Sequence, residues 1–292
     1  MKDIKYIPIE EKTLNDKLVN LYGPKIPGLY AAVEPLFNDI DAVKPALPLL
    51  IELNDDESYE KADLRIMVFG RETNNWNDMD ERNKCPYGTY DFSLSSGEDI
   101  LNEIRGKHFD DELVDKEIGI YGICDIYHSY FYGDEETGKK YNQTVFSKRT
   151  DSLIDMIRAR IPSKNIEYIW NNVSKIGCGG KDFGKSCRKP TPEIRDIERE
   201  YFDVVAEEVK ILKPDAIIFL TGFGADQEIK EIFGLSDSSF HSVKKGVFLD
   251  RIDISGIKYA ARTIHPSRKS NEELKKHFDA LVEDIEVDFL RK

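Results

Sequence analysis

At 292 residues, with 40% hydrophobic and 11% aromatic content, the chain can form one large α/β domain with an elaboration, or two small domains. A net charge of −13 argues against a surface coated in positive charge for nucleic acid, although a phosphate footprint is local and survives that balance. No apolar run approaches a bilayer span, and Met1-Lys2-Asp3-Ile4-Lys5 lacks a signal-peptide pattern, so a cytoplasmic protein with no membrane partner is expected.

Residues 1 to 60 carry six of the twelve prolines, with apolar residues at mixed spacing. They read as an N-terminal helical, partly irregular extension, with Asn15 to Leu21 its clearest helix, and residues 61–292 as the α/β domain. The apolar run from Ile66 to Phe69, bounded by Leu64 and Gly70, reads as a buried strand that turns into Arg71-Glu72-Thr73-Asn74-Asn75-Trp76. A polar loop follows from Asp78 to Phe92. Helical periodicity returns at Gly97 to Arg105 and at Phe146 to Ile161, with an apolar run from Ile118 to Tyr132 between them. Ile166 to Trp170 reads as a second strand, ending in Asn171-Asn172.

After a long loop between Gly177 and Thr191, a helix opens with Thr191 as N-cap and Pro192 in the first turn. Ile194, Ile197, Tyr201, Val204, Val205 and Val209 recur on one face before Lys213-Pro214 stops it. Asp215 to Leu220 reads as a strand ending in Thr221-Gly222, and Ile257 to Ile264 as another running into His265-Pro266-Ser267. Asn271 to about Leu290 closes the chain as a helix. Alternating helix and strand favours a mainly parallel sheet with helices on both faces.

In open α/β sheets, ligands bind beyond the carboxyl ends of the strands. A carboxylate at Glu72 and an aromatic plane at Trp76 or Phe146 suit a flat polar ligand there. Four strands ending in Gly-x-Glu, Asn-Asn, Thr-Gly and His-Pro-Ser make an ordered set, and this order resembles the uracil-DNA glycosylase superfamily. Its members carry Gly-Gln-Asp-Pro-Tyr-His, Gly-Glu-Ala-Pro-Gly or Gly-x-Asn-Pro-Gly at the first strand end, an Asn after a middle strand, and His-Pro-Ser or a near relative at the last. Gly70-Arg71-Glu72, Asn172-Val173-Ser174-Lys175 and His265-Pro266-Ser267 line up with these, so the resemblance spans residues 64 to 290.

The resemblance implies a three-layer α/β/α sandwich and a DNA glycosylase hydrolysing the N-glycosidic bond of uracil or another damaged base. Such cleavage passes through an oxocarbenium-like sugar and an anionic base. Glu72 fits the carboxylate near the sugar, and His265, as neutral imidazole, fits the donor to the departing base oxygen. Asn171 or Asn172 offers a side-chain amide to the base edge, and Trp76 or Phe146 a ring to stack on it. Lys175, Lys181, Lys185 and Arg268, with the backbone at Gly70 and Ser267, are candidates for phosphate contact. The window from Lys175 to Lys189 holds five basic residues against the single acid Asp182.

The chain departs from the family at Thr73, where relatives have Pro, and at Asn74-Asn75-Trp76. Arg268-Lys269-Ser270 replaces the apolar residue that wedges into the duplex in relatives. Some relatives hold an iron–sulfur cluster, but nothing here matches the N-terminal cysteine pair, and no Cys-x-x-Cys occurs among Cys85, Cys124, Cys178 and Cys187, so no metal or other cofactor is expected. Gly179 to Ser186 satisfies a phosphate-loop pattern, yet Lys189-Pro190-Thr191-Pro192 disfavours the helix that loop needs at once. His108, His128, His241 and His277 show no metal-ligand spacing. The partners expected are DNA or a free base or nucleotide. The principal alternative is a catalytically silent module of the same fold that binds a base, nucleotide or nucleic acid.

Overall fold

The computed structural model describes residues 8–39, 42–43, 45–72, 127–128, 130–133, 144–178, 189–267 and 269–290. In chain order the helices and strands are α1 (Leu14–Tyr22), α2 (Ile26–Asn38), β1 (Pro45–Pro48), α3 (Asp56–Lys61), β2 (Leu64–Gly70), α4 (Val145–Arg160), β3 (Ile166–Asn172), β4 (Ile176–Cys178), α5 (Pro192–Tyr201), α6 (Val205–Leu212), β5 (Ala216–Phe219), α7 (Asp226–Phe233), β6 (Phe240–Ser242), β7 (Leu249–Ile252), β8 (Tyr259–Thr263) and α8 (Asn271–Leu290). They form two compact units, one from residues 1–54, 72–142 and 174–211, the other from 55–71, 143–173 and 212–292. No helix among the described residues is long and apolar enough to cross a membrane.

The second unit carries a six-stranded sheet in the order β3-β2-β5-β8-β7-β6. The first four strands run parallel, and β7 and β6 add antiparallel to that edge. This is the mostly parallel α/β sheet that the apolar runs predict. Parallel strands are buried on both faces, which is why Leu64 to Phe69 is apolar almost without alternation. On one face Leu64, Ile66 and Val68 pack with Leu153, Ile154 and Ile157 of α4 and Phe278, Leu281 and Ile285 of α8. On the other, Phe69 stacks on Phe219 at 4.9 Å between ring centroids, with Phe233 of α7 edge-on to Phe219.

The first unit contains α1, α2, the β1–β4 antiparallel pair and α5. Thr191 caps α5 as expected, its hydroxyl accepting from the Ile194 N–H. The helix expected to run on to Val209 is instead broken at Phe202, which leaves helical geometry (φ −140°, ψ 37°). Phe202 is fully buried and stacks on Tyr22 at 6.1 Å, so its packing outweighs one more helical turn. The buried face of α5 carries Ile194 and Glu198, while Tyr201 is exposed.

Candidate functional site

The parallel register sets Gly70 at the end of β2 directly beside Asn172 at the end of β3. The Gly70 carbonyl accepts from the Val173 N–H at 3.0 Å, so the two strand ends are tied together. Asn172 is buried, and its Oδ1 lies against the Gly70 backbone. A Cβ on Gly70 would stand 2.5 Å from that oxygen, 3.3 Å from Phe146 Cζ and 3.4 Å from Trp170 Nε1. Only glycine leaves room for the amide in this place. The Asn172 Nδ2 donor is buried without a hydrogen-bond partner, an arrangement that costs stability unless a ligand answers it.

Phe146 stands in the first turn of α4, where Thr144 caps the helix by accepting from the Ser147 N–H at 3.2 Å. Its Cζ approaches the Gly70 position that Asn172 Oδ1 also crowds, and its ring pairs with the His265 ring, centroids 5.5 Å apart. Within the second unit Phe146 therefore links the Gly70–Asn172 strand ends of β2 and β3 to His265, which follows β8.

His265 Nδ1 accepts from the Ser267 N–H at 3.2 Å. A nitrogen that accepts carries no proton, so the neutral ring bears its hydrogen on Nε2. Burial, reinforced by the positive charge of Arg71, lowers the His265 pKa to about 4. At neutral pH this imidazole is an uncharged donor.

Arg71 follows Gly70 and donates from Nε to the Thr221 carbonyl at 2.6 Å. Its guanidinium packs against Gly224 of the Thr221-Gly222-Phe223-Gly224 turn, where a Cβ on Gly224 would overlap it. Gly222 takes a left-handed backbone (φ +59°), which glycine adopts at little cost. The next residue, Glu72, is half-buried.

Two of the predicted site residues need correcting. Asn171 points away from the cluster, because successive strand residues alternate faces. Its Oδ1 accepts from the Asn172 N–H at 2.8 Å and its Nδ2 approaches Met67 Sδ at 3.8 Å, so it braces the strand end rather than reading a ligand. Lys175 is no phosphate contact: its side chain is wholly buried in the first unit, and Nζ donates to Glu208 at 2.7 Å. Tyr22 donates to the same carboxylate at 2.6 Å and receives the Ile51 N–H. Ser267 is the residue whose backbone fixes the His265 tautomer. Trp76, Lys181, Lys185, Arg268, the phosphate-loop pattern and the helix expected at Gly97 to Arg105 lie outside the described residues.

No protein-family model matches this chain, and no curated protein matches it either.

Among the described residues, no group of three or more His, Cys, Asp and Glu side chains is placed to hold a metal ion. Cys178 is buried and bonds the Lys189 carbonyl. His128 pairs with Asn54, His241 with Asp253, and His277 accepts from the Phe248 N–H. Three features of the site escaped sequence reasoning: the Arg71 cradle, the nearness of Trp170 to Gly70, and the Gly-Phe-Gly turn. The Gly222 and Gly224 spacing was the one available signal for the last.

Proposed function

We propose that the chain is a uracil-DNA glycosylase-like α/β/α protein that hydrolyses the N-glycosidic bond of uracil or another damaged or deaminated base in DNA. The observation that carries this reading is the Asn172 amide, buried with an unanswered donor at the Gly70 strand end that Phe146 Cζ also approaches, with the Phe146 ring in turn 5.5 Å from the His265 ring. An amide donor answers a carbonyl on the edge of a flat ring, and Phe146 covers its face. A neutral Nε2–H donates a hydrogen bond to the oxygen on which the charge of the departing base collects.

In the reaction the C1′–N bond breaks with its electrons passing to the base, and water forms the new C1′–O bond. Glu72 is assigned the carboxylate that steadies the cationic sugar and accepts the proton from water. His265 stabilises the charge on the departing base oxygen. The order of motifs from Gly70-Arg71-Glu72 through Asn172 to His265-Pro266-Ser267 supports the family reading.

The test is single-turnover cleavage of oligonucleotides bearing uracil, hypoxanthine, xanthine or a G·T mismatch, with alkaline scission of the abasic product. Glu72→Gln is expected to lose at least two orders of magnitude, the scale of general acid–base assistance. Near-native rates in Glu72→Gln remove its role. Silence of the wild type on every substrate, with measurable binding of a base, would assign the chain to the silent binding module instead.

A further inference from the structure

Beside the base cluster stands a cation whose charge the described residues leave unanswered. Arg71 makes one hydrogen bond, from Nε to the Thr221 carbonyl, and no carboxylate among the described residues pairs with it. In a chain of net charge −13, a half-buried guanidinium with no acidic partner among the described residues is a local exception. Its terminal amino groups lie by Gly222: a Cβ there would stand 3.5 Å from Arg71 Nη2 and 3.6 Å from the His265 amide nitrogen. A fork of donors in that position fits an oxyanion, and a phosphate in particular.

The same turn exposes an aromatic ring. Phe223, between the two glycines, is 70% exposed, the most open of the large hydrophobic residues described. Its other side is tightly backed. The Phe248 ring centroid is 4.1 Å away, and the Arg262 guanidinium carbon lies 4.8 Å from the Phe223 centroid and 4.9 Å from that of Phe248. Arg262 is itself neutralised by Asp226 and Asp250, so it serves as a pillar and not as a free charge. Phe223 is thus a pre-positioned flat surface that loses little freedom when something stacks on it.

We propose that the Thr221–Ala225 turn grips a single-stranded DNA segment next to the base site, Arg71 binding one phosphate and Phe223 stacking on a base adjacent to the one held by Asn172. An uncompensated cation paired with an exposed aromatic platform is the combination by which single strands are held without sequence preference. The proposal rests on the base-site reading for its geometry, but its contacts are to a phosphate and a neighbouring base.

The experiment measures fluorescence anisotropy of two labelled single-stranded oligonucleotides, identical except that one carries a stable abasic analogue where the other carries uracil. On the abasic strand, Phe223→Ala is expected to weaken binding roughly 5- to 150-fold with the salt slope unchanged, and Phe223→Trp to restore it. Arg71→Met is expected to reduce the slope of log K against log salt by about 0.7, the value for one phosphate on a single strand. Thermal melts establish that each variant is folded. Unchanged affinity in folded Phe223→Ala, an unchanged slope in folded Arg71→Met, or no binding of the abasic strand by the wild type each overturns the proposal. The base-site reading is scored separately, by the affinity that uracil adds over the abasic strand and its loss in Asn172→Ala.

Discussion

Gly70→Ala probes the cluster at its tightest point. The new Cβ would stand 2.5 Å from Asn172 Oδ1, and ordinary contact begins at 3.4 Å, so the amide has to retreat by about 0.9 Å (3.4 minus 2.5). Asn172 is 1% exposed, which leaves little space for that movement. Overpacking of this kind costs about 1–3 kcal/mol. In an Asn172→Ala background the colliding oxygen is gone. The remaining neighbours, Phe146 Cζ at 3.3 Å and Trp170 Nε1 at 3.4 Å, are close to ordinary contact. Gly70→Ala should then be nearly neutral, giving a coupling of about 1–3 kcal/mol between the two positions. Urea unfolding of the four proteins in the cycle measures it. In the otherwise native chain the displaced amide should also lower base affinity or excision by about 100-fold, the usual penalty for a 1 Å misplacement. Equal destabilisation by Gly70→Ala in both backgrounds would refute the reasoning.

Three further expectations concern buried charges. His265 has a folded pKa of about 4 against an ordinary 6.5, so the stability it contributes is present above 6.5 and is lost, by up to about 3 kcal/mol, as the pH falls to 4; an imidazole NMR titration with a midpoint at or above 6.5 contradicts this. Burial raises Glu198 to about 7 from 4.5, so its contribution is present below 4.5 and is lost as the pH rises through 7. Glu198→Gln should therefore gain on the wild type by up to about 3 kcal/mol in urea unfolding at pH 8 relative to pH 4.5, and parallel pH profiles would count against it. Lys175→Met strands the buried Glu208 carboxylate and should cost about 3–5 kcal/mol, much of it recovered by adding Glu208→Gln, while leaving the salt dependence of oligonucleotide binding untouched. A Lys175→Met protein that unfolds like the wild type contradicts the buried pair.

The strand ends were legible because buried parallel strands are continuous apolar runs, and the chemistry-bearing residues follow them directly. Which of Asn171 and Asn172 faces the cluster was not legible. Period-two alternation says that they differ, but only the packing of α4 on the face of Ile66 and Val68 decides which one shares the Phe146 side of the sheet. Arg71 was visible but without a role, because its partner Thr221 lies 150 residues along the chain. The same distance problem hid the first unit's polar core. Lys175 read as a phosphate contact and Glu208 drew no reading, whereas Tyr22, 186 residues from Glu208, donates to the carboxylate with which the buried lysine pairs. Periodicity also carried a helix straight through Phe202, since an apolar residue continues a helical stripe as readily as it ends one. A fully buried ring stacked on Tyr22 is a long-range fact that no local window contains.

In the proposed site the neighbouring cation and imidazole would couple base binding to strand binding. Arg71 contributes to the depression of the His265 pKa, but burial is the larger cause. A phosphate seated on Arg71 cancels the smaller contribution and leaves the larger, so the His265 midpoint should move up on adding the abasic oligonucleotide yet remain below 6.5. Reciprocity then requires the strand to bind more tightly as the pH falls toward that midpoint. At neutral pH the imidazole stays uncharged with the strand bound, and so keeps Nε2–H available as a neutral donor. A midpoint that does not move on strand binding would mean that the phosphate sits elsewhere. One that rises past 7 would make His265 a cation in the bound state, and the anionic leaving base would then be stabilised by charge rather than by a neutral hydrogen bond.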